Sequence, residues 1–240
     1  MRMPRLSPVI VVTGLLLSPR ATDAAAIQLV QNGSFETGDF TGWTTGTTAE
    51  PFEDWAVSVA GAGSGFFPLT SPQAGSYDAW NGFDGDGPMT QTMYQDITIP
   101  STATSASLTW LDRLQWDYTI TESATQARTY DVQLLDPSDN SVLATLYSFS
   151  TGVDLAIGDS GWQAHSVDLS AFIGQIVRLH FLETIPESFT GPGQAEFDAI
   201  SILANDPTVP EPVPEPASLT LLALGLGGVG ARCWRQRKPS

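Results

Sequence analysis

Between residues 27 and 206 no long segment carries apolar residues at the i, i+3, i+4, i+7 spacing of an amphipathic helix, whereas apolar and polar residues alternate throughout. The longest alternating series is Leu108, Trp110, Asp112, Leu114, Trp116, Tyr118 and Ile120. It exceeds an ordinary strand, so a bulge or bend is expected near Asp112. Tyr130, Val132 and Leu134 alternate with polar neighbours, then Asp136-Pro137-Ser138-Asp139-Asn140 supplies turn residues before Val142 to Phe149, the pattern of a hairpin. Val177, Leu179 and Phe181 predict a further strand and Ile200 and Ile202 a last one, with Asp198 expected on the same face as those two isoleucines. Residues 60–75, with Gly61, Gly63 and Gly65, read as a long loop. The predicted class is all-β, a single antiparallel β-sandwich.

The two ends of the chain do not belong to that pattern. Arg2 and Arg5 precede a nine-residue apolar run, Val9 to Leu17, and the small residues Ala24-Ala25-Ala26 follow. This is the order of a cleavable secretory signal over residues 1–26, too short for a membrane span of about 20 residues. After the sandwich region, residues 27–206, comes a Pro/Glu linker over 207–216. The segment 217–240 then holds an apolar stretch, Ala217 to Ala231, and the cations Arg232, Arg235, Arg237 and Lys238. Fifteen helical residues reach about 22 Å against a hydrocarbon core of about 30 Å, a marginal transmembrane helix, and the cations place the extreme C-terminus in the cytoplasm.

Charge narrows the partners. The region 27–206 has three bases, Arg113, Arg128 and Arg178, against 23 acids, a formal charge of −20. Such a field disfavours nucleic acid and favours divalent cations and neutral ligands. The single cysteine, Cys233, lies in the basic tail, so no disulfide staples the sandwich.

The order Val213-Pro214-Glu215-Pro216-Ala217-Ser218, apolar stretch and basic end closely resembles a PEP-CTERM sorting signal. The resemblance implies that Pro214, Glu215 and Pro216 form the motif and that an exosortase of a Gram-negative bacterium processes the tail. Transient inner-membrane anchoring would then precede release to the cell surface or extracellular matrix. Asn32-Gly33-Ser34-Phe35-Glu36, continuing to Trp43, resembles the opening of the galactose-binding-like jelly roll found in carbohydrate-binding modules. Gln73-Ala74-Gly75-Ser76-Tyr77 resembles a later strand entry, and Trp162 to Phe181 with Phe197-Asp198-Ala199-Ile200-Ser201-Ile202 resembles the closing strands. In the resembled fold the first and last parts meet at one rim, which implies a structural Ca²⁺ held by Glu36 and Asp198. Hard carboxylate oxygens suit that ion, and Asp78, close to the strand entry, is a third candidate ligand.

Among the aromatics Trp55, Trp80, Trp116, Tyr118 and Trp162, the pair Trp116 and Tyr118 shares one strand face and is the expected carbohydrate platform; Trp43 is expected in the core. Asp84-Gly85-Asp86-Gly87 fails as an EF-hand loop, because Gly82 occupies the first ligand position and Met93 the last, and reads as a turn. His165 and His180 stand outside any metal-ligand spacing, and no nucleophile elbow or catalytic cysteine occurs. The expectation is a non-catalytic exported protein of the cell surface or biofilm matrix that binds polysaccharide or serves structurally. The alternative is a secreted polysaccharide-degrading hydrolase on the same fold, using paired carboxylates.

Overall fold

The computed structural model describes residues 24–210, apart from 68, 122 and 154–156. The signal segment before residue 24, the motif residues Pro214, Glu215 and Pro216, and the apolar and basic tail lie outside the described residues. Among the described residues no helix is long and apolar enough to cross a membrane.

Two antiparallel sheets face each other. One has seven strands. Its path runs β10 (Gln163–Asp168), β6 (Ser105–Asp117), β12 (Gly193–Pro210), β4 (Tyr77–Asn81) and β3 (Ala56–Val59), with β1 (Ala24–Gln28) added to β12 and β9 (Ile157–Asp159) to β6. The other has five, in the order β2 (Thr44–Thr47), β5 (Met89–Thr98), β11 (Ile176–Ile185), β7 (Thr129–Leu135) and β8 (Val142–Ser150). Alternation does the sorting: on β5 Met89, Met93 and Ile97 point inward, on β11 Val177, Leu179, Phe181 and Ile185, and on β6 Ala106, Leu108, Trp110 and Leu114. Phe181 and Phe197, from opposite sheets, meet with ring centroids 5.8 Å apart, and Trp43 closes on Phe181 at 6.1 Å. Trp43 is therefore core, as the sequence indicates. The β7–β8 hairpin also forms as expected, with Asn140 at φ +60° and Asp136 N donating to the Ser141 carbonyl.

The bulge lies on a different strand from the one expected. The β6–β12 register runs evenly through Phe197↔Asp112 and Asp198↔Leu111, then slips before Ser201↔Thr109, with Ala199 at φ +53°. The extra residue is thus in β12, beside Asp112's partner, and it reverses which residues face the core. Ala195 and Phe197 point inward before it; Ile200, Ile202 and Ala204 do so after it. Asp198 consequently points outward from the seven-stranded sheet, opposite to Ile200 and Ile202, which corrects the shared face inferred from simple alternation.

β12 continues to Pro210 and β1 begins at Ala24, paired with each other from Ala24↔Pro210 to Gln28↔Leu203. The two ends of the sandwich therefore leave side by side.

Candidate functional site: the outer face of the five-stranded sheet

The register of the five-stranded sheet aligns one residue per strand across its outer face: Thr44↔Tyr94, Tyr94↔His180, His180↔Gln133 and Gln133↔Thr145. The adjacent row brings Thr92, Leu182 and Asp131 together. Five strands about 4.8 Å apart make this strip about 19 Å across. Arg178 anchors one side of it. Its Nε and Nη2 donate to Asp96 Oδ1 and Oδ2 at 2.7 and 3.0 Å, Nη1 donates to Asn140 Oδ1, and Cζ lies 4.2 Å from the Tyr94 ring centroid. Its two ion-pair bonds to Asp96 hold the guanidinium over the phenol ring. Tyr94, Gln133, Leu135, Asn140, Val142, Arg178 and His180 line an open hollow of about 400 Å³, within the usual range for small-ligand sites.

Burial, and then the neighbouring Arg178 charge, push the His180 pKa below 6.5, so at neutral pH the imidazole is uncharged and offers one donor and one acceptor. Its Nδ1 is buried with no partner among the described residues. With the Gln133 amide, the Tyr94 hydroxyl and the Arg178 guanidinium, the row mixes donors and acceptors at close spacing, which suits the hydroxyl groups of a saccharide.

The residues singled out in the sequence lie elsewhere. Tyr118 is fully buried: its hydroxyl pairs with Thr151 Oγ1 at 2.8 Å, and the Arg128 guanidinium lies 4.9 Å from its ring. Trp116 packs on Phe149 at 5.4 Å and is closed off by Gly158, where a Cβ would come within 2.2 Å of the indole. Trp116, near the end of β6, lies at the core margin, and Tyr118, just past the strand, is interior. Trp55 packs on Phe40 and Phe197, Trp80 donates to Ser58 Oγ at 3.1 Å, and Trp162 is partly buried. His165 stacks on Trp110 at 4.5 Å with Nε2 3.1 Å from Asp112 Oδ1.

Glu36 and Asp198 do meet at one rim, and both grip the turn through residues 73–77. Asp198 Oδ2 accepts from the backbone N–H groups of Gln73 and Ala74 at 2.7 and 2.8 Å, and Oδ1 from Ala199 at 2.6 Å. Glu36 Oε1 accepts from Ser76 and Tyr77 at 2.8 and 2.9 Å. Gly75, at φ +83°, passes so close that a Cβ would lie 2.4 Å from the Glu36 carboxyl carbon. Asp78, on the same side of the sheet as Asp198, is fully buried, and burial together with the Glu196 and Asp198 charges raises its pKa to about 8. Among the described residues no group of three or more His, Cys, Asp or Glu is arranged to hold a metal ion. Asp84, in the Gly/Asp turn, pairs with the buried Arg128 at 2.7 Å.

The chain is thus an antiparallel β-sandwich. Solved structures similar to it include TmCBM61 in complex with β-1,4-galactotriose, 12% identical with TM-score 0.47, covering 75% of this chain and 99% of that one. The K3 cleaved adhesin domain of Lys-gingipain from Porphyromonas gingivalis is 14% identical with TM-score 0.47, over 75% and 99%. A structure of carbohydrate-binding modules from the β-sandwich superfamily is 18% identical with TM-score 0.42, over 70% and 60%. No curated protein matches the sequence. Residues 212–238 match the model of the PEP-CTERM protein-sorting motif, which marks the chain for export and sorting.

Proposed function

We propose that this exported protein binds extracellular polysaccharide without cleaving it, on the outer face of the five-stranded sheet. An exosortase would process its tail after transient anchoring in the inner membrane of a Gram-negative cell, leaving the sandwich at the cell surface or in a biofilm matrix. The observation that carries the binding reading is the in-register row Thr44, Tyr94, His180, Gln133 and Thr145, flanked by the Arg178–Tyr94 stack. Such a row offers hydrogen bonds along a strip long enough for an oligosaccharide, on strands rigid enough to keep ordering costs small.

Glu36 and Asp198 take no part in this row. They clamp the 73–77 turn by four backbone hydrogen bonds, and Asp198 accepts a fifth from Ala199, which together occupy most of their lone pairs. They fit a Ca²⁺ cage poorly, and nothing in the binding mechanism is routed through an ion there.

The test is retention of the full chain, solubilised in detergent, on a panel of immobilised polysaccharides, with soluble products assayed in parallel. Retention that falls at least about tenfold in Tyr94→Ala and Gln133→Ala, with unchanged melting temperature and no products, is the expected result. Released oligosaccharide would replace binding with hydrolysis, and retention unaffected by either substitution would remove the sheet face from consideration.

A further inference from the structure

The hollow on the five-stranded sheet has two unlike walls. One is apolar. Leu135 and Val142 are register partners beside the turn of the β7–β8 hairpin, Leu135 nearly buried and Val142 55% exposed, and both line the hollow. The other wall is polar and consists of Tyr94, Gln133, Asn140, Arg178 and His180.

The polar wall is oriented. Arg178 Nη1 donates to Asn140 Oδ1, so that oxygen faces the guanidinium and the amide Nδ2 is turned away from it, a donor with no acceptor among the described residues. The turn fixes the backbone beneath: Asn140 stands at φ +60°, with its N–H on the Asp136 carbonyl at 2.8 Å. The Gln133 amide and the Tyr94 hydroxyl make no hydrogen bond to another described residue, and His180 Nδ1 is buried without one.

What such a hollow takes follows from its charges and its two walls. The Arg178 guanidinium is already neutralised by Asp96, and Asp136 and Asp139 belong to the same turn as Asn140, so an acidic sugar meets like charge and no uncommitted cation. A sugar bearing only hydroxyl groups would use the polar wall and leave Leu135 and Val142 in water. An acetamido group answers both walls at once. Its methyl covers Leu135 and Val142, its carbonyl accepts from Asn140 Nδ2, and its N–H donates to the Gln133 or Tyr94 oxygen.

Building on the saccharide-binding reading of this face, we propose that the ligand is a polysaccharide containing N-acetylated amino sugars, with Leu135, Asn140 and Val142 forming the acetamido subsite. The three residues lie at one side of the row, so a single substituent is read there while the row holds the chain of sugars.

Two neutral tetrasaccharides with the same β-1,4 backbone test this: chitotetraose carries an acetamido group at C2 where cellotetraose carries a hydroxyl. Their binding to the full chain in detergent is measured by calorimetry, alongside N-acetylglucosamine and glucose, which carry no linkage. The acetamido member of each pair should bind at least about tenfold more tightly. Asn140→Asp keeps the acceptor for Arg178 and the tolerance of positive φ but loses the donor, and Val142→Thr keeps the branched shape but loses a methyl. Each should reduce the preference to about threefold or less, with the melting temperature and the affinity for cellotetraose unchanged. Equal affinity within each pair, lost in Tyr94→Ala, would keep the row as a saccharide face and overturn the acetamido subsite. A preference that survives both Asn140→Asp and Val142→Thr would overturn it too, as would a chain that binds neither acetamido sugar.

Discussion

Glu183 offers the sharpest energetic test of the interior. It sits on the inward face of β11 between Gln91 and Tyr130, fully buried, with Asn81 Nδ2 donating to its Oε1 at 3.0 Å and no partner for Oε2 among the described residues. Burial raises its pKa from 4.5 to about 8, against the smaller opposing pull of Asn81 and Arg128. Below pH 4.5 the carboxyl is protonated in the folded and the unfolded chain alike. Between 4.5 and about 8 only the folded chain keeps the proton, so stability falls by about 1.4 kcal/mol per pH unit, and above 8 the loss is complete. At pH 7 this amounts to about 3 kcal/mol, a large share of a domain's net stability. Glu183→Gln removes the titration and keeps the shape. Its amide can donate to Asn81 Oδ1 or Gln91 Oε1, both buried acceptors without a donor. Urea unfolding of parent and variant at pH 5, 6, 7 and 8 should show little difference at the acid end and a gap that widens to about 3 kcal/mol at pH 7. Asp78 and Asp84, raised to about 8 and about 6, tilt both profiles equally and cancel in the difference. A gap independent of pH, or a variant less stable than the parent at pH 7, would refute the assignment of a neutral, buried Glu183.

Two further outcomes follow from single contacts. Arg128, only 1% exposed, donates to the Phe83 and Gly191 carbonyls, to Thr190 and to Asp84, so Arg128→Met should cost about 3–5 kcal/mol by leaving Asp84 as an unpaired buried charge, measured by urea unfolding. Gly33→Ala would set a Cβ 1.8 Å from the Ile200 carbonyl oxygen beside the β12 bulge; a loss of about 2–3 kcal/mol, visible as a lower melting temperature, is expected, since the obstructing carbonyl belongs to the backbone and has no side-chain freedom to move aside.

The sandwich and several of its strands were legible because alternation is a local signal: the inward residues of β6 and β11 can be counted directly from the chain. Alternation names a face without saying what covers it. That is why Tyr118 belongs to the interior and Trp116 to the core margin. The β12 bulge had no local signature, since alanine has no preference for positive φ, and one extra residue was enough to turn Asp198 away from Ile200. The sheet-face row was invisible for a different reason. Tyr94, His180 and Gln133 are far apart in sequence and become neighbours only through the strand order β5-β11-β7, a property of topology that no window of residues contains. The rim that unites Glu36 with Asp198 came from the resemblance of the opening and closing segments.

The pairing of β1 with the end of β12 has a mechanical consequence. β12 is the strand that leads toward the sorting tail, and it is bonded to β6 along most of its length as well as to β1 and β4. When the tail is tethered and a polymer drags on the sandwich, tension enters along the axis of β12. The hydrogen bonds on its two sides are then loaded together in shear, rather than opened one by one as in a peeled edge strand. Paired on both sides, the strand that leads toward the tail is thus harder to unzip under such a pull than an edge strand would be.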